Sequence, residues 1–492
     1  MTGQDRPTIL LIDPPYYRLF KDSYSLPRFP LSLGYLAGTV RQRTDWRVIA
    51  YNADFSPQCE PIKVSHLSGS GYAQYLKSLQ EPTGKIWKDV SDIISRYSPS
   101  VVGISCKSQT FASARIVARL VKTLDPRITV IAGGPHPSMV GAEVLKCSEF
   151  DVAVCGEGED AIVGILEAIR AGRTFDGIAG VIYRKDGETV VNAPGPGVAN
   201  LDTLCFPHEA APEILHDYHL YPRSAFNHIF ATRGCPYNCF FCGSRNVWGR
   251  RVRFRSPENV VREIRGLMQK GITEVHFDDD TFGVNSEYIR SLCTHIERDC
   301  PGLKWSCELH VKLVSDEHLG WMKRAGCRSI QLGIESGNDD ILRVIRKGFK
   351  IDEALTAVRR IHRQGIEVQA FFMVGFPQET EETLRDTFNA MKKVKGRLSY
   401  SIFTPYPGTE AFDFCREHGL VDDQFDVAVY NHQSPANCFC MNISRDRFRA
   451  LVAEMERMVD RNNYPSLLRR LFSPTLLRKV VNKLTRSSSR RS

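Results

Sequence analysis

Ala231-Thr232-Arg233-Gly234-Cys235-Pro236-Tyr237-Asn238-Cys239-Phe240-Phe241-Cys242 sets three cysteines in C-x3-C-x2-C spacing on a loop bent by Gly234 and Pro236. Three thiolates this close can ligate three irons of a [4Fe–4S] cluster and leave the fourth iron without a protein ligand. An open iron beside a low-potential cluster suits reductive chemistry on a bound cofactor. A structural zinc site is the alternative. Zinc takes four ligands, usually as two pairs, and no second Cys or His pair follows at zinc-finger distance. Cys438-Phe439-Cys440 lies far along the chain, and its spacing is poor for a closed site.

Strand and helix patterns alternate after the triplet. The expected strands are Asn227–Thr232, Thr273–Phe277, Lys304–Leu309, Ser329–Ile334, Glu367–Gly375 and Leu398–Phe403. Helical periods fill 257–270, 286–298, 316–324, 352–364 and 381–393 between them. Six β/α repeats predict an incomplete (β/α)6 barrel of the TIM type, whose active site lies at the carboxyl ends of its strands. The triplet lies there, as do Asp278-Asp279-Asp280, Glu335-Ser336-Gly337, Gly375-Phe376-Pro377 and Tyr406-Pro407-Gly408-Thr409. Asp279 and Asp280 point to opposite faces of a strand, so the sequence leaves open which one serves the site. A solvated turn or helix cap is their bland reading. Glu335 directly follows a buried strand, where a carboxylate needs a partner.

Residues 1–200 read as a second α/β unit. Thr8–Asp13, Arg47–Asn52, Ser100–Ser105, Thr129–Ala132 and Asp151–Cys155 are short β-branched runs with helical patterns between them. This alternation predicts a parallel, doubly wound, Rossmann-like sheet. Ligands of such sheets bind beyond the carboxyl ends of the strands. The loops there carry Pro14, Pro15 and Tyr16; Ser105, Lys107 and Gln109; Gly133, Gly134 and His136; and Gly156 and Glu157.

The two units together resemble the cobalamin-dependent radical S-adenosylmethionine (SAM) enzymes of the methyltransferase type. The triplet, with Phe241 before its last cysteine, matches the radical SAM pattern. Asp13–Pro15, Pro30–Ala37, Gly133–Pro137 and Val154–Glu159 match, in order, the motifs of the cobalamin-binding domain that precedes many such barrels. The resemblance implies that Cys235, Cys239 and Cys242 ligate the cluster and that Phe241, Asp279 or Asp280, and Glu335 contact SAM. It implies that the loop residues named above hold cobalamin. The D-x-H-x-x-G motif that supplies a lower histidine ligand in other cobalamin proteins is absent, so the resemblance implies cobalt with no histidine below it. The implied reaction begins with cleavage of SAM to a 5′-deoxyadenosyl radical. That radical takes hydrogen from an unactivated carbon of a small-molecule or lipid-like substrate, and methylcobalamin then methylates the carbon. An electron donor of flavodoxin or ferredoxin type is implied as a partner. The ring cyclases of bacteriochlorophyll synthesis share the architecture, and a cobalamin sensor without catalysis is the non-enzymatic alternative.

The organisation expected is a cobalamin domain (1–200), a linker (201–225), a radical SAM barrel (226–415), a small mainly helical region (416–464) and a basic tail (465–492). Fifteen scattered cysteines suit a reducing compartment. The N-terminus carries no signal-peptide pattern, so a cytoplasmic enzyme is expected. Of the net charge of +9, the tail holds eight cations and no acid, so the body is nearly neutral and nucleic acid is not an expected partner. Leucine-rich turns among those cations give the tail the pattern of an amphipathic helix able to lie on the inner membrane surface. A helix docked on the body is the alternative.

Overall fold

The computed structural model describes residues 6–432 and 434–471, with the backbone alone at 64, 65 and 464–471. A strand covered on both faces needs apolar residues at successive positions, and runs such as Thr8–Asp13 supply them. The first sheet comprises β1 (Thr8–Asp13), β2 (Arg47–Asn52), β3 (Val101–Ser105), β4 (Thr129–Gly133), β5 (Val152–Val154), β6 (Val181–Lys185) and β7 (Glu188–Val191). Their order is β2-β1-β3-β4-β5-β6-β7, parallel through β5 and antiparallel in the β6–β7 hairpin at the edge. Ile9 and Leu11 share a core with helices Leu31–Arg43 and Glu159–Arg170, and Leu10 and Ile12 with helices Lys85–Tyr97 and Phe111–Leu124. The strand order reverses at β1, which opens a crevice beyond the carboxyl ends of β1 and β3. The doubly wound sheet is as expected; the edge hairpin is an addition, hidden in the sequence by its exposed polar residues.

The segment 201–225, expected to be irregular, contains a helix over Pro207–Ile214. Pro207 and Pro212 mask it in the sequence. The amide of His216, just beyond it, donates to the Ala50 carbonyl of β2, so the segment is packed onto the first sheet.

The second sheet follows with β8 (His228–Ile229), a separate antiparallel pair β9 (Thr232–Arg233) and β10 (Arg253–Phe254), then β11 (Glu274–Phe282), β12 (Lys304–Leu309), β13 (Cys327–Glu335), β14 (Glu367–Val374) and β15 (Arg397–Ile402). The six strands β8-β11-β12-β13-β14-β15 run parallel in that order, the incomplete barrel that the six repeats predict. Alternate residues differ sharply. Phe277, Trp305, Cys307, Ile330, Leu332, Ala370 and Phe372 are buried toward the helices. His276, Asp278, Ser306, Glu308, Gln331 and Gln369, on the other face, stay partly or largely accessible. A closed barrel fills its interior with branched apolar side chains; this one lines a lumen with polar groups.

A C-terminal helix, Arg445–Leu471, covers the free edge of β15. The Asn463 amide donates to the Leu398 carbonyl at 2.9 Å and accepts from the Leu398 N–H at 3.0 Å, which satisfies an exposed strand edge. Of the basic tail, residues 472–492 lie outside the described residues. Among the described residues no helix is long and apolar enough to cross a membrane.

Glu379 fixes the loop after β14. One carboxyl oxygen accepts from the Gly375 and Phe376 amides, and Oε1 has no partner among the described residues. Burial pushes its pKa up to about 8 from 4.5. The fold therefore holds a proton that the unfolded chain releases, and stability falls as pH rises through that window, by at most about 1.4 kcal/mol per pH unit. Glu379→Gln keeps an acceptor for the two amides and does not titrate. Denaturant unfolding between pH about 5 and about 8 should show a flatter stability profile for the variant; parallel profiles would disprove the protonated carboxyl.

Candidate active site at the junction of the two sheets

The cysteine loop begins directly after β9. Gly234, at φ +106°, passes so close to the Arg251 carbonyl that a Cβ would collide with it, so the loop's entry requires glycine. Cys235 and Cys239 are half-buried and Cys242 is exposed, and none is in a disulfide. Burial raises all three thiol pKa values, that of Cys235 to about 11; repulsion from neighbouring thiols adds to the rise at Cys235 and Cys242, and Glu335 adds to it at Cys239. Three thiols gathered within reach of one another's charge fit a cluster that would take them as thiolates. Lys347 lies near Cys239 and Cys242 and pairs with Glu335 at 3.3 Å. Burial works most strongly against its charge, but Glu335, Cys239 and Cys242 together hold the ammonium above its ordinary pKa.

The two adjacent aspartates separate as alternation requires. Asp279 is 1% exposed. Its Oδ1 accepts from the Ala231 amide and the Thr232 hydroxyl, both at 3.0 Å, and from the Thr232 amide. It therefore ties β11 to the strand that leads into the cysteine loop, and it does not line the cavity described below. Asp280 does line that cavity, with its carboxylate 2.8 Å from the Ser244 hydroxyl. Glu335 ends β13 at φ +68°, a conformation that costs a non-glycine residue roughly 1–3 kcal/mol and concentrates at functional sites. Phe241 faces the cavity and packs at an angle on Phe376, centroids 5.8 Å apart.

A cavity of about 720 Å³ joins the two sheets. Pro14, Tyr16, Ser105, Lys107, Gln109, Gly133, Gly134, Gly156 and Glu157 line it from the first sheet, and Phe241, Ser244, Asp280 and Thr409 from the second. A Cβ at Gly133 would meet nothing within 4 Å, so this wall is open to a bulky, flat ligand, as a corrinoid requires. No histidine among the described residues lines the cavity. His136 and Pro15, expected among the cobalamin contacts, are not on it. The His136 ring is buried, lies 3.0 Å from the Ser108 hydroxyl and packs on Phe111 at 4.0 Å. Burial pushes its pKa down to about 4, and it holds the turn together from inside.

Glu157 is only partly free to meet a ligand. Its carboxylate takes the Arg233 guanidinium at 2.8 Å, the Arg253 guanidinium and the Val198 amide at 3.1 Å. Arg233 also pairs with Glu159 at 2.6 Å and lies between the rings of Tyr35 and Trp248. The Gly-Glu-Gly-Glu turn of the first sheet thus grips the residue that precedes the cysteine loop. Asp54 plays a similar part within the first sheet: Oδ1 accepts from the Tyr16 and Arg18 amides and fixes the Pro-Pro-Tyr-Tyr turn. Sequence reasoning missed Asp54, Arg233 and Lys347. The acid just beyond β2 was a signal for Asp54, and Arg233 sat within the quoted stretch.

The family model for the radical SAM superfamily matches residues 229–391, and that for the B12 binding domain matches residues 22–166. An uncharacterised methyltransferase of Pyrococcus horikoshii is 29% identical over 423 residues, 84% of each chain. An anaerobic magnesium-protoporphyrin IX monomethyl ester cyclase of Rubrivivax gelatinosus is 26% identical over 402 residues, 78% of this chain and 70% of that one. The radical SAM methyltransferase TsrM of Kitasatospora setae, solved with cobalamin and a [4Fe–4S] cluster, has the same fold: TM-score 0.66, 19% identity, 84% of this chain and 78% of that one. The chain belongs to the radical SAM superfamily and carries a B12-binding domain ahead of its radical SAM domain. Its relatives include named methyltransferases and the cyclase type, and the two domains imply a [4Fe–4S] cluster with SAM and a cobalamin as cofactors.

Removing one partner of a buried ion pair leaves an uncompensated charge and costs about 3–5 kcal/mol. Arg233→Gln should lose about that much in denaturant unfolding. Arg43→Gln, which breaks an exposed pair with Asp160, should lose less than about 1 kcal/mol. Equal losses would mean that the Arg233 network does not join the sheets energetically.

Proposed function

We propose that this enzyme transfers a methyl group to an unactivated carbon of a small polar molecule. The observation that carries the reading is the shared cavity: the loops after β1, β3, β4 and β5 face Phe241 and Asp280 across one space. In this reading Cys235, Cys239 and Cys242 hold the cluster, Phe241, Asp280 and Glu335 hold SAM, and Pro14, Tyr16, Ser105, Lys107, Gln109, Gly133, Gly134 and Gly156 hold cobalamin. When bound, the cluster with SAM supplies reductive radical chemistry and cobalamin supplies methyl transfer. Glu335, held by Lys347, would accept from the ribose hydroxyls. Asp280, held by Ser244, would meet the SAM ammonium. The aromatic wall of Phe241 and Phe376 would keep water from the reacting atoms.

The polar lumen supports a substrate rich in hydrogen-bonding groups over a lipid-like one, because an apolar molecule would cover the polar ends of Glu308 and Gln331 without offering them partners. An electron donor of flavodoxin or ferredoxin type belongs to this reading. So does a contact of residues 465–492 with an anionic membrane surface, supported by eight cations without an acid. With SAM deuterated at its methyl group, anaerobic turnover of a cell extract should yield a product that carries the labelled methyl and partitions into the aqueous phase. A product of altered mass without the label would favour the cyclase reading.

Glu335→Gln should weaken SAM binding by roughly 10- to 100-fold, the loss of a charged hydrogen bond of about 1.5–3 kcal/mol, with iron content unchanged. Calorimetry on the cluster-loaded protein measures it. Wild-type affinity would remove Glu335 from the SAM site.

A further inference from the structure

Three side chains on two neighbouring strands converge in the lumen, away from the cysteine loop. His228 of β8 and His276 of β11 are direct cross-strand partners. Asp278 lies two residues beyond His276 and therefore on the same face. The Asp278 Oδ1 is 3.2 Å from the His228 Nδ1 and 3.5 Å from the His276 Nε2. All three donor atoms lie within 4.8 Å of one another. A tetrahedral ion with ligands at about 2.0–2.1 Å separates its donors by roughly 3.4 Å, so the two measured edges already match.

Two of the three donors are held from behind. The His276 Nδ1 is 2.7 Å from the Ser306 hydroxyl, and the other Asp278 oxygen is taken by the Arg28 guanidinium. Such contacts orient metal ligands. The Ser306 contact admits two places for the proton. With Nδ1–H donating to Ser306, Nε2 turns its lone pair on the Asp278 Oδ1, acceptor facing acceptor, and a cation between them resolves the conflict. With the Ser306 hydroxyl donating instead, Nε2–H points at Oδ1 and the cluster is closed by hydrogen bonds alone. The first arrangement is that of a metallated imidazole. Arg28 does not forbid a cation here, because its single charge is paired with Asp278 and also faces Glu308 and Asp13. Asp278 and Arg28 both border the cavity, so the remaining coordination position faces the space where the substrate is proposed to lie.

We propose that His228, His276 and Asp278 bind a divalent first-row transition-metal ion, distinct from the cluster, through two imidazoles and one carboxylate with an open position toward the lumen. Three protein ligands and one open position make a site that can receive an oxygen or nitrogen donor of a bound molecule. The site itself does not depend on methyl transfer.

Zinc is the probe. The full-length protein, loaded with cluster and cobalamin, is incubated with excess Zn²⁺ and desalted, and zinc, iron and cobalt per chain are measured by plasma mass spectrometry. The wild type should retain one equivalent of zinc more than His276→Ala and Asp278→Asn, at equal iron and cobalt. X-ray absorption at the zinc edge should show nitrogen and oxygen neighbours at about 2.0–2.1 Å, not sulfur at about 2.3 Å. Ser306→Ala leaves the three ligands in place and should weaken zinc retention by roughly 10- to 100-fold, which keeps the test decisive if a ligand variant misfolds. Equal zinc in the wild type and all variants, or a first shell of sulfur alone, overturns the site whether or not the enzyme methylates its substrate.

Discussion

The Arg233 guanidinium holds the two halves of the molecule to one geometry. It lies between Glu157 and Glu159 of the first sheet, and Arg253 completes a set of two cations and two carboxylates. A buried set with no net charge escapes much of the penalty that a lone buried charge would meet, yet it tolerates the loss of no member. Its position matters as much as its energy. Arg233 is two residues from Cys235, so the turn that borders the cobalamin wall and the loop that carries the thiols move as one. Asp279 works from the other side by binding the backbone at 231 and 232. The cysteine loop is thus pinned from both sheets.

Close approach completes the junction. The loop that carries Gly408, from the end of the barrel, runs against Met139 of the first sheet, where a Cβ would strike the Met139 backbone. Along the loops at Gly133, Gly134 and Gly156 the cavity wall is bare backbone, which leaves room there for a ligand. The positive φ of Glu335 and the orphan oxygen of Glu379 lie at the carboxyl ends of neighbouring strands. The fold spends stability at the face where chemistry takes place.

The barrel inverts the usual distribution of polarity. Its outer faces carry Trp305, Cys307 and Phe372 into the core, while its inner face carries His228, His276, Asp278 and Glu308. With six strands the barrel need not close, and the unfilled lumen meets the cavity above it. Withdrawal from bulk water and the nearby Asp280 push the Glu308 pKa up to about 7, and burial pushes those of His228 and His276 down to about 3 and about 4. Such a lining presents hydrogen-bonding groups at little charge cost, which suits recognition of a polar molecule.

The two α/β units, the six-strand count and the cysteine loop were legible in the chain, because each rests on local pattern: apolar runs of strand length, helical period, and ligand spacing within a dozen residues. The choice between Asp279 and Asp280 was not, since alternation says that the two diverge but not which face is the lumen. His136 and Glu157 belong to recognisable motifs, yet the packing of Phe111 and the arrival of Arg233 from another sheet decide where their side chains point. The helix at Pro207–Ile214 hid behind two prolines that its packing on the first sheet overrides. His228, His276 and Asp278 lie 48 or more residues apart in two groups along the chain, and only strand pairing makes them neighbours. Sequence by itself determined the elements and the chemistry of the thiol loop, which are short-range matters of propensity and spacing. Tertiary structure alone decided which polar groups face one another, because buried ion pairs and cross-strand contacts join residues that the chain keeps far apart.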